Sequence, residues 1–309
     1  MPDFEDVSLD IVIPAYNEGA HLFHNIAAID AVLAAEKINR RFILVNDGSG
    51  DNTWTEIKRL KETFSHVSGV NLSRNFGKEA ALCAGLSEVT APLCVVMDSD
   101  LQHPPALIPE MLKKQREGYQ IVEGVKEDRG KESFFSKLAA AFFYRLIDRL
   151  SGFEMKNASD FKLIDRQAIA AWQEIGDTHA FFRGMIAWVG FEKATVYFRV
   201  PERSGGQTKF SKVQLIKLAL RAITSYSAAP LFLTNLLSSA FFIGALALGG
   251  QTLYNKFAGV AESGFSTVIL LLLILGSAIL FCLGIIGTYI SRIYDEVKNR
   301  PRYIVKEKL

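Results

Sequence analysis

The chain has 309 residues, enough for one α/β domain of ordinary size and a smaller second module. Its 35 basic and 33 acidic residues leave a formal net charge of +2, which excludes the basic balance of a nucleic-acid-binding protein and the composition of a disordered one. Cys83, Cys94 and Cys282 lie far apart in apolar surroundings, which argues against a CxxC zinc or redox site.

The first half of the chain alternates apolar, strand-like runs with amphipathic, helix-like stretches. We predict strands at 9–13, 42–45, 70–72, 93–97 and 121–125, and helices between them at 19–35, 53–63, 78–88 and 106–117. This alternation predicts βαβ units and a mainly parallel sheet with flanking helices. Ligands bind beyond the carboxyl ends of such strands, where Asn17, Asp47 and Asp98 would meet.

Two long stretches near the carboxyl end contain no charged residue. Residues 222–255 and 263–291 each hold the roughly 20 apolar residues that cross a bilayer, with spans expected at about 228–250 and 266–290. Buried helices of a soluble domain are the alternative, but the second stretch is apolar around its whole circumference. We therefore predict an α/β domain over 1–225 and a transmembrane hairpin with a C-terminal tail over 226–309.

Basic residues flank both predicted spans on one side of the membrane. Three precede the first span and six lie between 292 and 308, whereas the connection at 256–262 holds one base and one acid. The positive-inside rule then places both ends in the cytoplasm. The acidic N-terminus lacks a secretory signal, so we expect a multi-pass protein of the cytoplasmic (inner) membrane whose first module faces the cytoplasm.

An amphipathic, cationic helix is predicted at 133–151. It can lie in the membrane interface, or it can pack on the sheet or against another subunit, and both interpretations remain open. Small residues at Gly244–Gly249 and Gly276–Gly287 would permit close helix packing within or between chains, which is compatible with a homo-oligomer.

The clearest chemical signal follows the fourth predicted strand, in the run Met97-Asp98-Ser99-Asp100-Leu101-Gln102. Two aspartates at this spacing point to the same side of an extended chain. Their hard oxygen ligands suit Mg²⁺ or Mn²⁺, which completes its coordination with waters and phosphate oxygens. Capping of the next helix is the other use of such a pair. The pattern favours a metal that bridges a diphosphate.

Three further motifs follow the first three strands: Ile13-Pro-Ala-Tyr-Asn-Glu18, Val45-Asn-Asp-Gly-Ser49 and Leu72-Ser-Arg-Asn-Phe-Gly-Lys78. Together with the segment 98–105, they resemble the GT-A domain of family-2 glycosyltransferases. The closest resemblance is to polyprenyl-phosphate glycosyltransferases related to dolichol-phosphate mannose synthase and to bactoprenol glucosyltransferases. It continues through 159–166, 182–184 and 203–210 and the two spans, and so covers essentially the whole chain.

This resemblance implies roles for individual residues on the donor side. The nucleoside would be held by Pro14, Tyr16, Glu18 and Asp47. The metal and the diphosphate would be held by Asp98, Asp100 and Gln102, with further donor contacts from Lys78, Ser99 and Arg129. Helix capping explains the residues just before Lys78 equally well. The resemblance thus implies Mg²⁺ or Mn²⁺ as cofactor and a UDP-sugar as donor.

Other residues would serve the reaction itself. Arg203 and Lys209 fall in the family's flexible basic loop, where a cation would stabilise charge developing on the leaving diphosphate. Asp160 matches the family's catalytic base, but a lipid phosphate with a second pKa near 6 is already largely dianionic at neutral pH. Asp160 could instead orient the acceptor or the sugar. Lys162 replaces the family's usual arginine, which puts a tight phosphate contact there in doubt.

The expected reaction is inverting transfer of a sugar to polyprenyl (undecaprenyl) phosphate, with UDP-glucose as first choice of donor. UDP-N-acetylhexosamine, a UDP-pentose and GDP-mannose remain alternatives. A processive polysaccharide synthase would need more spans and a Gln-x-x-Arg-Trp motif. A non-catalytic nucleotide-sugar sensor would be expected to lose Asp98, Asp100 or the basic loop, and a transporter would need intramembrane charges.

Overall fold

The computed structural model describes residues 4, 7–127, 159–174, 182–198, 229–259, 264–298 and 300–309. The chain divides into two compact units: the first comprises Met1–Asp148, Phe153–Thr208 and Pro301–Leu309, and the second Arg149–Gly152 and Lys209–Arg300. The predicted cationic helix at 133–151 lies outside the described residues.

The first unit contains a mixed sheet with helices on both faces. Its elements are β1 (Ser8–Ala15), α1 (Leu22–Ala35), β2 (Asn39–Asn46), α2 (Thr53–Thr63), β3 (Val67–Leu72), α3 (Lys78–Ser87), β4 (Leu93–Val96), α4 (Ile108–Arg116), β5 (Ile121–Lys126), β6 (Lys162–Asp165), α5 (Arg166–Glu174), α6 (Phe182–Trp188), β7 (Lys193–Phe198) and, at the carboxyl end, β8 (Val305–Lys308).

The eight described strands lie in the order β7-β5-β6-β4-β1-β2-β3-β8. β1 pairs in parallel with β2 and β4, and the pairs β2–β3 and β5–β7 are also parallel. β6 runs antiparallel to both β4 and β5, and β8 runs antiparallel to β3. The predicted α/β architecture with a mainly parallel sheet is confirmed, and β1, β2, β3 and β4 end at the same edge.

Burial of both faces explains why the central strands read as continuous apolar runs. One face of the sheet packs against apolar residues of α1, α2 and α4, and the other against those of α3, α5 and α6. A Cβ atom at Gly85 of α3 would lie 2.4 Å from Cγ1 of Val12, so glycine permits α3 to approach β1 closely. This close packing fixes the start of α3 beside the strand ends.

The last residues of the chain return to the sheet. In β8, Val305 and Glu307 pair with Leu72 and Asn71 of β3, and the N–H of Ser73 donates to the carbonyl oxygen of Ile304 at 2.9 Å. From the sequence, this segment is predicted to be part of a C-terminal tail that follows the spans. It covers the edge of β3 that would otherwise present unpaired backbone groups.

The second unit contains two long apolar helices, α7 (Ala229–Phe257) and α8 (Phe265–Val297). Within them, Pro230–Asn255 and Leu271–Val297 have mean hydropathies of 1.9 and 2.5 and are almost wholly exposed, as lipid-facing helices are. Both predicted spans lie largely within these helices. Their length and composition fit a membrane association, whereas the orientation of the chain stays a prediction.

Candidate active site

A cavity of about 320 Å³ opens at the carboxyl ends of β1, β2 and β4. Eight residues predicted for the donor site line it, with three others from the same loops: Pro14, Ala15, Tyr16, Glu18, Asp47, Asn75, Gly77, Lys78, Asp98, Ser99 and Asp100. The parallel strands therefore bring together motifs that lie up to 86 residues apart in the chain, from Pro14 to Asp100.

The loops after β1 and β2 hold each other through hydrogen bonds. Asn17 has a left-handed backbone (φ 55°); its N–H donates to Oγ of Ser49, and its side-chain oxygen accepts from the N–H of Gly50. The N–H of Glu18 donates to Oγ1 of Thr53 at 2.9 Å. These contacts leave the ring of Tyr16 49% exposed at the cavity, as a flat surface on which a base can stack.

Asp47 fixes the loop that precedes α3. Its side chain is buried, and its two carboxylate oxygens accept from the N–H groups of Phe76 and Gly77 at 2.8 and 2.9 Å. Burial raises the pKa of Asp47, and the two amide donors oppose this shift. The residue predicted to contact the nucleoside thus also shapes the cavity wall that carries Lys78.

Glu18 lies in a group of carboxylates. Burial raises the pKa of Glu18, and the negative charge of Asp100 raises it further, followed by those of Asp51 and Asp98, while His21 opposes the shift. A cation among these carboxylates would offset the repulsion that raises the pKa of Glu18. The electrostatics of this part of the cavity therefore favour a positively charged ligand.

The aspartate motif forms a turn instead of an extended chain. β4 ends at Val96, Ser99 and Asp100 lie in a turn, and Leu101 has φ 58°. The prediction that both carboxylates share one side of an extended segment is therefore wrong in its geometry, because the chain reverses after Asp98. Asp98 and Asp100 nevertheless line the same cavity.

Gln102 is bound to Asp100. Its N–H donates to Oδ1 of Asp100 at 3.1 Å, and its side-chain amide donates to Oδ2. Gln102 is absent from the cavity lining among the described residues, so its contact to a metal stays a prediction. The amide orients the carboxylate of Asp100 within the turn.

His103 joins the aspartate turn to the segment around Asp160. Its Nδ1 accepts the N–H of Asp98 at 3.0 Å, and its ring stacks on Phe161 with centroids 5.0 Å apart and planes 10° apart. Burial lowers the pKa of His103, which favours the neutral ring that this hydrogen bond requires. The structure thus gives His103 a packing contact as well as a hydrogen bond.

Lys78 lies between two aspartates. Its Nζ is 2.6 Å from Oδ1 of Asp98 and 2.8 Å from Oδ2 of Asp160. Burial of the amine opposes its charged form, but the two carboxylates outweigh this effect and raise the pKa of Lys78. Lys78, which is predicted to contact the nucleotide-sugar donor, is therefore a charged ammonium group held by the carboxylates of Asp98 and Asp160.

Lys162 does not contribute its charge to the cavity. Its side chain is 0% exposed and forms an ion pair with Glu123 of β5. The ammonium group of Lys162 is therefore not placed to contact a phosphate in the cavity, because it is buried and paired with Glu123. Asp160, two residues earlier, is 8% exposed and reaches Lys78 at the cavity.

The carboxylate side chains at the cavity suit a metal ion that takes most of its ligands from a bound substrate. Among the described residues, no group of three or more His, Cys, Asp and Glu side chains could hold a metal ion. Asp98 and Asp100 provide two carboxylates, which is the number that Mg²⁺ commonly takes when phosphates complete its coordination. Arg129, Arg203 and Lys209 lie outside the described residues.

Asn75 and Gly77 line the cavity without having been predicted as donor-site residues. Gly77 has φ 96°, a conformation that favours glycine, and its N–H donates to Asp47. The glycine directly before the predicted helix was the signal available in the sequence, since glycine marks places where the backbone approaches a ligand closely.

Comparison with known proteins agrees with this architecture. The sequence profile described as glycosyl transferase family 2 matches residues 10–185. An uncharacterised glycosyltransferase of Synechocystis sp. is 37% identical over 97% of this chain and 95% of its own length. A prophage bactoprenol glucosyl transferase homologue of Escherichia coli is 31% identical over 97% of this chain and 99% of its own.

A solved structure supports the fold. The crystal structure of mannosyl-3-phosphoglycerate synthase from Rubrobacter xylanophilus matches with a TM-score of 0.50 and 18% identity, and the match covers 71% of this chain and 73% of that one. At this identity the likeness concerns the fold alone. The chain belongs to glycosyl transferase family 2, with a GT-A-like catalytic fold, and is a glycosyltransferase.

Proposed function

We propose that the protein transfers glucose from UDP-glucose to a polyprenyl phosphate at the membrane, with inversion at the anomeric carbon. The observation that carries this proposal is one cavity that combines Tyr16, the carboxylates of Asp98 and Asp100, and the ammonium group of Lys78. An aromatic face suits a base, and the charged groups suit a diphosphate with its cation. These are the parts of a nucleotide-sugar donor.

The identity of the acceptor is supported by the relatives and by the second unit. Proteins named bactoprenol glucosyl transferase, such as the SfII prophage-derived protein of Shigella flexneri, are 30% identical over 97% of this chain, so the similarity includes the two apolar helices. An acceptor with a long isoprenoid chain stays in the bilayer. A membrane-associated enzyme can bring its cavity to the phosphate headgroup of such a lipid.

The reaction is a single displacement in which an oxygen of the lipid phosphate forms a bond to the anomeric carbon and the bond to the nucleoside diphosphate breaks. The acceptor phosphate is largely dianionic at neutral pH, so no base is needed to remove a proton from it. Asp160, whose Oδ2 contacts Lys78, then orients groups at the reacting end of the cavity. Lys78 stabilises the charge that develops on the leaving diphosphate.

A divalent cation held by Asp98 and Asp100 would supply charge neutralisation for the diphosphate. The carboxylates around Glu18, whose negative charges add to burial in raising the pKa of Glu18, support a cation at this place. Arg203 and Lys209 are proposed to add positive charge near the leaving group. The proposal retains Mg²⁺ or Mn²⁺ as the cofactor.

The test is transfer of labelled sugar to undecaprenyl phosphate by the detergent-purified protein, with a panel of UDP- and GDP-sugars. We expect one acid-labile lipid-linked monosaccharide, formed with UDP-glucose and Mg²⁺ and abolished by EDTA. Asp100→Ala should reduce product formation by on the order of a hundredfold or more, since metal and diphosphate lose a carboxylate ligand. Glu62→Ala, an exposed carboxylate on α2, is the matched control and should leave transfer unchanged.

Other outcomes would redirect the proposal. If product forms only with UDP-N-acetylhexosamine, a UDP-pentose or GDP-mannose, the sugar assigned to the donor changes but the assigned reaction stays the same. If nucleotide-sugar binding is intact but no donor yields product, polyprenyl phosphate is not the acceptor. Full activity in EDTA would contradict the role of a metal.

A further inference from the structure

Two carboxylates from different motifs meet at one ammonium group. Nζ of Lys78 lies 2.6 Å from Oδ1 of Asp98 and 2.8 Å from Oδ2 of Asp160. Asp98 follows β4, whereas Asp160 precedes β6, the antiparallel neighbour of β4. Lys78 is the first residue of α3. The lysine therefore connects the carboxylate proposed to hold the metal to one from a separate motif, just before β6.

The lysine and a metal would share the carboxylate of Asp98. A divalent cation bound by Asp98 and Asp100 would lie close to the ammonium group, and the two positive charges would repel each other. The side chains of Lys78 and Asp98 are 40% and 33% exposed, so solvent weakens this repulsion without abolishing it. A nucleoside diphosphate carries enough negative charge to bind both cations at once.

We propose that Lys78 is a positioning residue that makes metal binding depend on the nucleotide. The ammonium group on Asp98 weakens binding of a divalent cation by the protein alone. A diphosphate offers Lys78 a second anionic partner, so the metal and the nucleotide bind cooperatively. This inference rests on the proposed function in taking a nucleoside diphosphate as the ligand of the cavity and a divalent cation held by Asp98 and Asp100.

The proposal is tested by binding of Mn²⁺ to the full chain in detergent, measured from the electron paramagnetic resonance signal of free Mn²⁺. Each protein is titrated with and without saturating UDP. We expect the wild-type protein to bind Mn²⁺ on the order of tenfold more tightly with UDP than without it. By reciprocity, Mn²⁺ must increase the affinity for UDP by the same factor, which calorimetry checks independently.

Variants assign this coupling to the charge of the lysine. Lys78→Met should bind Mn²⁺ alone about five- to tenfold more tightly than the wild type, because the repelling charge is gone, and should gain less from UDP. Lys78→Arg retains a cation and should restore the weak binding of Mn²⁺ alone. Lys113→Met, on the exposed face of α4, is the matched control and should behave as wild type.

Three results would overturn the proposal. They are equal wild-type affinities for Mn²⁺ with and without UDP, a Lys78→Met protein that binds Mn²⁺ no more tightly than wild type, and a Lys78→Arg protein that matches Lys78→Met. The wild-type comparison requires no variant to fold. None of these measurements includes sugar transfer, so intact coupling without any lipid-linked product would contradict the proposed function and leave this inference standing.

Discussion

Gly48, in the loop after β2, is the position at which a single methyl group should damage the site most. Its φ is 60°, and a Cβ atom built there would lie 2.1 Å from the carbonyl carbon of Arg74 and 2.4 Å from the nitrogen of Asn75. Both are backbone atoms of the loop that continues to Lys78. Gly48→Ala therefore cannot be accommodated by a side-chain rotation, and the loop before α3 must move.

The size of the effect follows from two separable costs. A non-glycine residue in the left-handed region costs about 1 kcal/mol, and the displaced backbone should bring the total loss of stability to at least about 3 kcal/mol. Gly118→Ala, with φ 107° and no atom within 4 Å of the added Cβ, carries conformational strain alone. Gly50→Ala, two residues from Gly48, has neither positive φ nor a close atom and is the matched control.

Thermal unfolding and UDP affinity of the detergent-purified proteins test this series. Melting temperatures should fall in the order Gly50→Ala, Gly118→Ala, Gly48→Ala, with the last lowered by roughly 6–12 °C at 2–4 °C per kcal/mol. UDP affinity should fall on the order of tenfold or more in Gly48→Ala and stay unchanged in Gly118→Ala, because only the first moves the cavity wall. A Gly48→Ala protein that melts with Gly50→Ala and binds UDP normally would refute the reasoning.

Three further predictions concern residues outside the cavity lining. His103→Phe keeps a ring that stacks on Phe161 but removes the acceptor for the N–H of Asp98. It should lower kcat on the order of tenfold with little change in melting temperature. An unchanged kcat would contradict a positioning role for His103. Glu123→Leu should lower the free energy of unfolding by about 3 kcal/mol or more, because buried Lys162 loses a carboxylate partner. A second change, Lys162→Met, should recover most of this stability, and no recovery in the double variant would contradict this account. Deletion of 303–309 should lower the melting temperature and promote aggregation in light-scattering assays, because the edge of β3 loses its paired strand. Unchanged melting and scattering would show that β8 adds no stability.

Much of the sheet could be predicted because local pattern and tertiary fold agree there. α2 forms at Thr53–Thr63, the predicted residues, where apolar positions at helical spacing face the core. α1 begins at Leu22, three residues later than predicted, since the preceding turn is held elsewhere: the N–H of Gly19 donates to Asp51 of the next loop. A contact between loops distant in sequence leaves no periodic signal.

β8 shows the limit of such patterns. Its sequence, Val305-Lys-Glu-Lys308, has one apolar residue and reads as a charged tail. It forms a strand because β3 offers an edge and because individual side chains find partners on neighbouring helices. Nε1 of Trp54 donates to Oε2 of Glu307 at 2.9 Å, and Lys308 pairs with Glu88. Pairing of this kind depends on the assembled sheet and cannot be inferred from the segment itself.

At the site, the sequence predicts which residues come together better than it predicts their contacts. The motifs identified eight of the eleven residues that line the cavity, because parallel strands carry their carboxyl-terminal residues to one edge wherever the intervening helices go. They could not reveal that Asp47 binds the backbone before Lys78, or that Lys162 is buried beside Glu123, because both depend on the distance between strands and loops after folding.

The contacts of the cavity explain why so few of its residues need to touch a ligand. Asp47 anchors the loop before α3, His103 anchors the turn that carries Asp98, and Lys78 joins that turn to Asp160. Two of these restraints act on the turn that carries Asp98 and one on the loop before α3, and each reaches a group that lines the cavity. A transferase gains rate from such preorganisation because charged groups already lie where charge develops. Changes at these supporting contacts should therefore lower turnover through geometry, even where no ligand contact is removed.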